Sequence, residues 1–329
     1  MKKKLYFLWK LSWLRTLVQI FFFIAIGYFM AQYVQTQWDQ ISHNPPQVNW
    51  SILLVAQLGI MISMGIQPFG TWLIIKNLNG TLSKPQVWQA FFIGQVAKYL
   101  PGSVWSLPSR GFLYNQRGLD SKRSIETVIW ETGLAVVAAT LVGILTIPLF
   151  TNSVYLPLIF LEIGGFSTIF LGSSILLRRT KINLWLRNRI PFSTSLLNIY
   201  PHLPIWIMLK ALAFYIVQWL LMGISFIGIL IALEAPLSLS EAIQVIGLFP
   251  CVWAVGLLII ITPGGIGIRE ALITIALSDI VNDPLPLYVA IIMRLCWLIA
   301  EVVNITISSI LYAQEKRLQG FQIDPTIIS

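Results

Sequence analysis

The chain has 329 residues, 57% apolar and 11% charged, with a mean hydropathy of +0.78. Soluble domains carry about 25% charge and disordered chains combine low hydrophobicity with high charge, so both classes are excluded. The net charge of +9 comes from 22 Lys/Arg, gathered in blocks beside apolar runs. That is a membrane-topology signal and not the footprint of a nucleic-acid binder.

In chain order, Lys2, Lys3, Lys4, Lys10 and Arg15 lead into the apolar run 11–34. This run is long enough to span, and no small-residue cleavage site follows it, so it reads as an uncleaved first helix. Segment 50–75 is the second span. Segment 86–108 is apolar but interrupted by Pro101-Gly102. Spans 124–150, 154–177 and 205–233 follow. Segment 242–278 is interrupted by Pro263-Gly264-Gly265, and 286–312 is the last span. The six unbroken runs each have the roughly 20 residues that a bilayer core requires. Residues 1–329 therefore read as one all-α, polytopic integral membrane domain.

Charge placement sets the orientation. Loops 35–49, 151–153, 234–241 and 279–285 contain no Lys or Arg, and Asp39, Glu234, Glu241, Asp279 and Asp283 are their only charges. Every basic block falls on the other side. The positive-inside rule then puts both termini in the cytoplasm of a plasma (inner) membrane. Six spans alternate correctly only if each broken segment returns to the side it left. Two re-entrant hairpins of opposite orientation satisfy this, and so do two short crossings at each place. Irregular backbone at membrane depth is tolerated only inside protein or beside a water-filled cavity. Paired breaks entering from opposite faces are what an inverted-repeat transporter shows.

Chemistry-bearing residues gather at the breaks. Lys98 precedes Pro101-Gly102 and Arg110 follows it, so both could offer positive charge to a lipid phosphate arriving from the cytoplasmic leaflet. A helix restarting after the break would aim its unpaired N–H groups at the same anion. In Pro263-Gly264-Gly265-Ile266-Gly267-Ile268-Arg269-Glu270, the glycines permit close backbone approach and a charge pair follows within one turn. Charge inside a membrane costs about 2.5 kcal/mol or more per group, so such residues pair or line a cavity. The plainer reading is an ion pair that locks the hairpin. Glu131 lies about two turns inside its span. Arg294 and Glu301 are seven apart on one helix face, continued by Asn304 and Ser308. Glu131, Arg269 and Arg294 are expected to share a central site, and Glu162 reads as fold-stabilising. Cys251 and Cys296 lie in apolar segments and His43 and His202 in Pro-containing loops. These form no metal pattern, and there is no Walker A string or dinucleotide fingerprint, so no metal or other cofactor is expected.

At two places the residues carry a resemblance. Lys98-Tyr99-x-Pro101-Gly102-x-x-Trp105 with Arg110, Gly118 and Glu131 is one. Pro263-Gly264-Gly265-x-Gly267-x-Arg269-Glu270 is the other. Together with the span layout, from about residue 10 to 315, they resemble the flippase-like membrane domain of lysylphosphatidylglycerol synthases. That domain also occurs in stand-alone membrane proteins, and archaeal proteins of dolichol-linked glycosylation belong to the same group. The resemblance implies handling of a lipid with a phosphate-bearing headgroup between leaflets. It does not imply lysine transfer, which in the synthases belongs to a soluble C-terminal domain, whereas this sequence ends soon after its last span.

The expected function is a lipid flippase-like transporter for a phospholipid or polyprenyl-phosphate-linked lipid. Lys98, Arg110, Arg269 and Arg294 would hold phosphate, and Glu131, Glu270 and Glu301 would balance them. The alternatives are a membrane enzyme with Glu131 as general base, and a scaffold for a lipid-synthesis or glycosyltransferase partner. Membrane lipids are the expected ligands under the first reading.

Overall fold

The computed structural model describes residues 47–99, 105–146, 203–258 and 267–322, with side chains to 318, and the single residues 164, 167 and 265. The expected span 11–34, the span 154–177 apart from Gly164 and Ser167, and Glu162, Pro101, Gly102, Pro263 and Gly264 lie outside the described residues. Eight α-helices are described: α1 (Trp50–Asn77), α2 (Lys84–Val96), α3 (Ser106–Gln116), α4 (Ser121–Thr146), α5 (Ile205–Ala232), α6 (Leu239–Leu258), α7 (Ile268–Leu277) and α8 (Leu285–Gln322). Among the described residues there is no strand.

Five of these helices are long and apolar enough to cross a membrane: α1, α4, α5, α6 over Leu239–Leu257, and α8 over Leu285–Leu318. This is a multi-pass membrane protein. Its outer surface fits that reading, since Leu54, Leu58 and Ile62 recur every four residues along α1 and are all exposed.

The two broken segments differ from each other. In 86–108, α2 and α3 have 13 and 11 residues. At about 1.5 Å per residue they reach about 20 and 16 Å, too short for a core of about 30 Å. In 242–278, α7 is equally short at 10 residues, but α6 has 20 and is of spanning length. The two helices of the second segment therefore differ in length far more than those of the first. α6 runs through Pro250. Pro250 removes the N–H that Ile246 O would accept. That carbonyl instead lies against Gly223 of α5, where any Cβ would sit 2.3 Å from it.

The ends of α2 are well specified. Ser83 caps it, with Gln86 reaching back to the Ser83 N–H, and Pro85 occupies the first turn. α1 and α5 form the broadest contact, eased by small residues at Gly59 against Ser225 and Gly228 against Ala56. α4 and α6 pack onto α5, and α8 packs across α2, α7 and α1. One large core joins these helices, with Trp130, Trp219, Tyr215 and Phe226 fully buried. α8 therefore touches α2, which precedes the first break, and α7, which follows the second, and this positions the site.

Candidate functional site

The predicted charged residues fall into two clusters. The first is centred on Glu131, which is only 2% exposed. Its Oε1 lies 2.8 Å from Arg110 Nη1 as an ion pair without hydrogen-bond alignment. Its Oε2 accepts from Thr71 Oγ1 at 2.7 Å and from Tyr114 OH at 3.1 Å. Thr71 in turn shares a 3.3 Å contact with Tyr215 OH. The Arg110 guanidinium rests 5.0 Å from the centre of the Phe91 ring. A cation and an anion balance here, so the cluster is neutral. It ties α1, α2, α3, α4 and α5 together.

Close packing enforces this arrangement. A Cβ on Gly94 would meet Arg110 Cγ at 2.4 Å, and one on Gly70 would meet the Tyr215 ring at 2.8 Å. Glu131 spends its bonds on Arg110, Thr71 and Tyr114, and none on Arg269 or Arg294. The expected shared centre of Glu131, Arg269 and Arg294 is thus divided. The reason is helix order: α3 follows α2 directly and lays Arg110 against α4, while the two other arginines belong to α7 and α8. Arg110 is likewise directed into the protein at 5% exposure, not toward a lipid-facing mouth.

The second cluster is built on α8. Glu301 accepts from Lys98 Nζ, from Tyr99 OH at 2.6 Å and from Trp297 Nε1 at 2.8 Å. This fastens the turn Ala97–Tyr99, at the mouth of the first break, to α8. One heptad earlier, Arg294 Nε lies 3.5 Å from Glu270 Oε1 and fastens α7, just past the second break, to the same helix. The expected polar stripe on α8 continues inward, with Asn304 Nδ2 donating to Met61 O at 3.2 Å and Ser308 buried. It reaches Glu315, which accepts from Ser83 Oγ at 2.7 Å, a contact with no local signal in the chain.

Glu270 also closes the start of α7. Its Oε2 accepts the Gly267 N–H at 2.6 Å. The positive end of this helix, expected to face a ligand, already holds the chain's own carboxylate. Gly267 stands at φ 84° and Gly265 at φ 71°, the left-handed region that favours glycine.

Arg269 stands apart from these pairs. It is 8% exposed, yet among the described residues it makes no hydrogen bond or ion pair, and its Nε is buried without a partner. Its side chain is wedged between two glycines: a Cβ on Gly256 would lie 2.6 Å from Nε, and one on Gly265 would lie 2.8 Å away. It lines a small, partly open pocket, with Glu270, Arg294, Trp297, Phe249 and Met293 among the other walls. Lys98 stacks near Trp297, with its Nζ 5.5 Å from the ring centre, so the cavity abuts the Lys98–Glu301 pair. Among the described residues this cluster has three cations (Lys98, Arg269, Arg294) and two carboxylates (Glu270, Glu301), an excess of one positive charge.

Sequence reasoning found the charged members but not Thr71, Tyr114, Tyr215, Tyr99, Trp297 or Gly256. Each is an ordinary residue of an apolar helix until a neighbour from a distant part of the chain is placed against it. Only Tyr99, next to Lys98 within a quoted string, carried a local signal.

No curated protein matches the sequence. The family described as Lysylphosphatidylglycerol synthase TM region matches residues 16–303, a range that holds both breaks and every charged residue of the two clusters. By that match, and by a helix layout that agrees with the resemblance read from the two Pro-Gly strings, the chain belongs to the lysylphosphatidylglycerol synthase transmembrane-region family.

Proposed function

We propose that the protein is a flippase-like transporter that moves a lipid with a phosphate-bearing headgroup between leaflets, and that the cavity beside Arg269 receives the phosphate. The observation that carries this reading is the buried Arg269 guanidinium, unpartnered among the described residues and facing an open cavity. A guanidinium left alone in a low-dielectric interior is costly, and a phosphate offers it two parallel acceptors. The place also suits the role. The short helix α7 and the turn Ala97–Tyr99, which flank the two Pro-Gly strings, are both fastened to α8 here, through Arg294 and Glu301. Transporters that build sites from discontinuous helices place them at such junctions. Membership in a family named for a lipid-synthase membrane region agrees with a lipid-related task.

Within this reading Pro101, Gly102, Pro263 and Gly264 shape the breaks, and Gly265 and Gly267 shape the approach to Arg269. Lys98, Glu270, Arg294 and Glu301 set the field, while Arg110 and Glu131 hold the bundle. Glu131, the general base of the enzyme alternative, has its carboxylate engaged by Arg110, Thr71 and Tyr114, which favours transport over chemistry at that residue.

The test is leaflet exchange in liposomes. Purified protein is reconstituted with fluorescent lipids, and dithionite quenching follows their movement. Exchange above empty liposomes, lost in Arg269→Gln while folding is retained, is the expected result. Exchange unaffected by Arg269→Gln would remove the phosphate from this cavity.

A further inference from the structure

We infer that the cavity selects a headgroup carrying a single net negative charge, a phosphodiester without an amine, over zwitterionic, aminoacylated and diphosphate headgroups. This rests on the proposal that the Arg269 cavity receives a lipid phosphate, and adds the charge class that the site accepts.

The argument begins from which charges are already spent. Glu301 is engaged by Lys98, Tyr99 and Trp297. Glu270 is engaged by the Gly267 N–H and faces Arg294. The remaining cavity walls are Phe249, Ile273, Ala290, Met293 and Trp297, none of which carries charge. Arg269 is the one cation of the cluster without a carboxylate of its own. Among the described residues the site thus holds one unit of excess positive charge, and both of its carboxylates already face a cation.

A phosphodiester monoanion cancels that unit and leaves a neutral buried assembly. An ammonium on the same headgroup would enter beside Lys98, Arg269 and Arg294, where the carboxylates already face cations, and would add to the excess positive charge at low dielectric. A diphosphate brings at least two negative charges against one and leaves a net anion buried. Two membrane sources share the favoured chemistry: phosphatidylglycerol and a sugar linked through a single phosphate to a polyprenol. The glycine slot sharpens the selection. Gly256 and Gly265 hold Arg269 from two sides, so its fork meets the ligand in one place and cannot swing to follow a second phosphate.

The experiment measures binding and exchange separately on the purified full chain. Binding is read by quenching of tryptophan fluorescence, since Trp297 lines the cavity, and by native mass spectrometry. Exchange is read in liposomes. The arms are phosphatidylglycerol, a polyprenyl-monophosphate sugar, phosphatidylethanolamine, an aminoacylated phosphatidylglycerol and a polyprenyl-diphosphate sugar. One or both of the first two should bind on the order of tenfold tighter than the other three, and which of them does identifies the source. The preference should survive in Arg269→Lys, which keeps the charge, and vanish in Arg269→Gln. Native elution profiles serve as the folding control for both variants. Equal binding of all five lipids with exchange intact would overturn the charge selection and leave the transport reading standing. Selective binding with no exchange of any lipid would uphold the selection and overturn transport. Tightest binding of an ammonium-bearing or diphosphate lipid would overturn the selection outright.

Discussion

Replacing Glu131 with Gln tests whether the first cluster is a structural lock. The substitution keeps the shape and an oxygen that can still accept from Thr71 and Tyr114, and removes only the charge facing Arg110. Both partners are nearly fully buried, so solvent screens the pair weakly. Removing one partner of a buried pair costs about 3–5 kcal/mol because the other charge is left unmatched. Retention of the two hydroxyl hydrogen bonds, each about 1 kcal/mol, puts Glu131→Gln at the lower end of that range. At about 2–4 °C per kcal/mol, the unfolding midpoint in detergent should fall by roughly 6–12 °C. Glu131→Ala, which also forfeits those bonds and opens a cavity, should fall further. Pairing Arg110→Met with Glu131→Met removes both charges and should recover most of the loss, giving strong coupling in a double-mutant cycle. An unchanged midpoint for Glu131→Gln, together with loss of lipid exchange, would refute the structural assignment and return Glu131 to the ligand site.

Gly223→Ala sets a Cβ 2.3 Å from Ile246 O, backbone against backbone, so neither side can yield cheaply. A loss of about 1–3 kcal/mol is expected from overpacking, and a thermal scan showing none would mean that α5 and α6 are not in such close contact. Thr71→Val removes a 2.7 Å bond to Glu131 and should cost about 1–3 kcal/mol in the same assay, whereas a neutral result would place the hydroxyl elsewhere. Gly256→Ala drives a Cβ to within 2.6 Å of Arg269 Nε, so phosphodiester binding should weaken more than stability does. Equal binding to wild type would show that the slot does not fix the guanidinium. Single cysteines at Asn79 and Ser238, with Cys251 and Cys296 replaced, should label from opposite faces of inverted and right-side-out vesicles. Labelling from the same face would overturn the positive-inside orientation.

The sequence by itself determined the class and the main spans. Hydrophobic runs of 20 or more residues have one stable solution in a bilayer, a helix that satisfies its own backbone. For that reason 50–75, 124–150, 205–233 and 286–312 correspond to α1, α4, α5 and α8 within a few residues, apart from the longer C-terminal end of α8. The heptad from Arg294 to Glu301 was legible for the same reason, because periodicity along one helix is local. What only the tertiary structure decided was the pairing. Partners such as Glu131 with Thr71, or Lys98 with Glu301, lie 60 and 203 residues apart, and no local pattern selects between Arg110, Arg269 and Arg294 as the mate of an acid. The course of α6 through Pro250 was decided the same way: a proline ordinarily ends a helix, but a glycine on α5 lets the orphaned carbonyl be packed away. Which charge stands alone was decided there as well. Arg269 and Glu270 are neighbours in sequence, yet the capping of α7 turns the carboxylate back onto Gly267 and toward Arg294, and leaves the guanidinium facing the cavity.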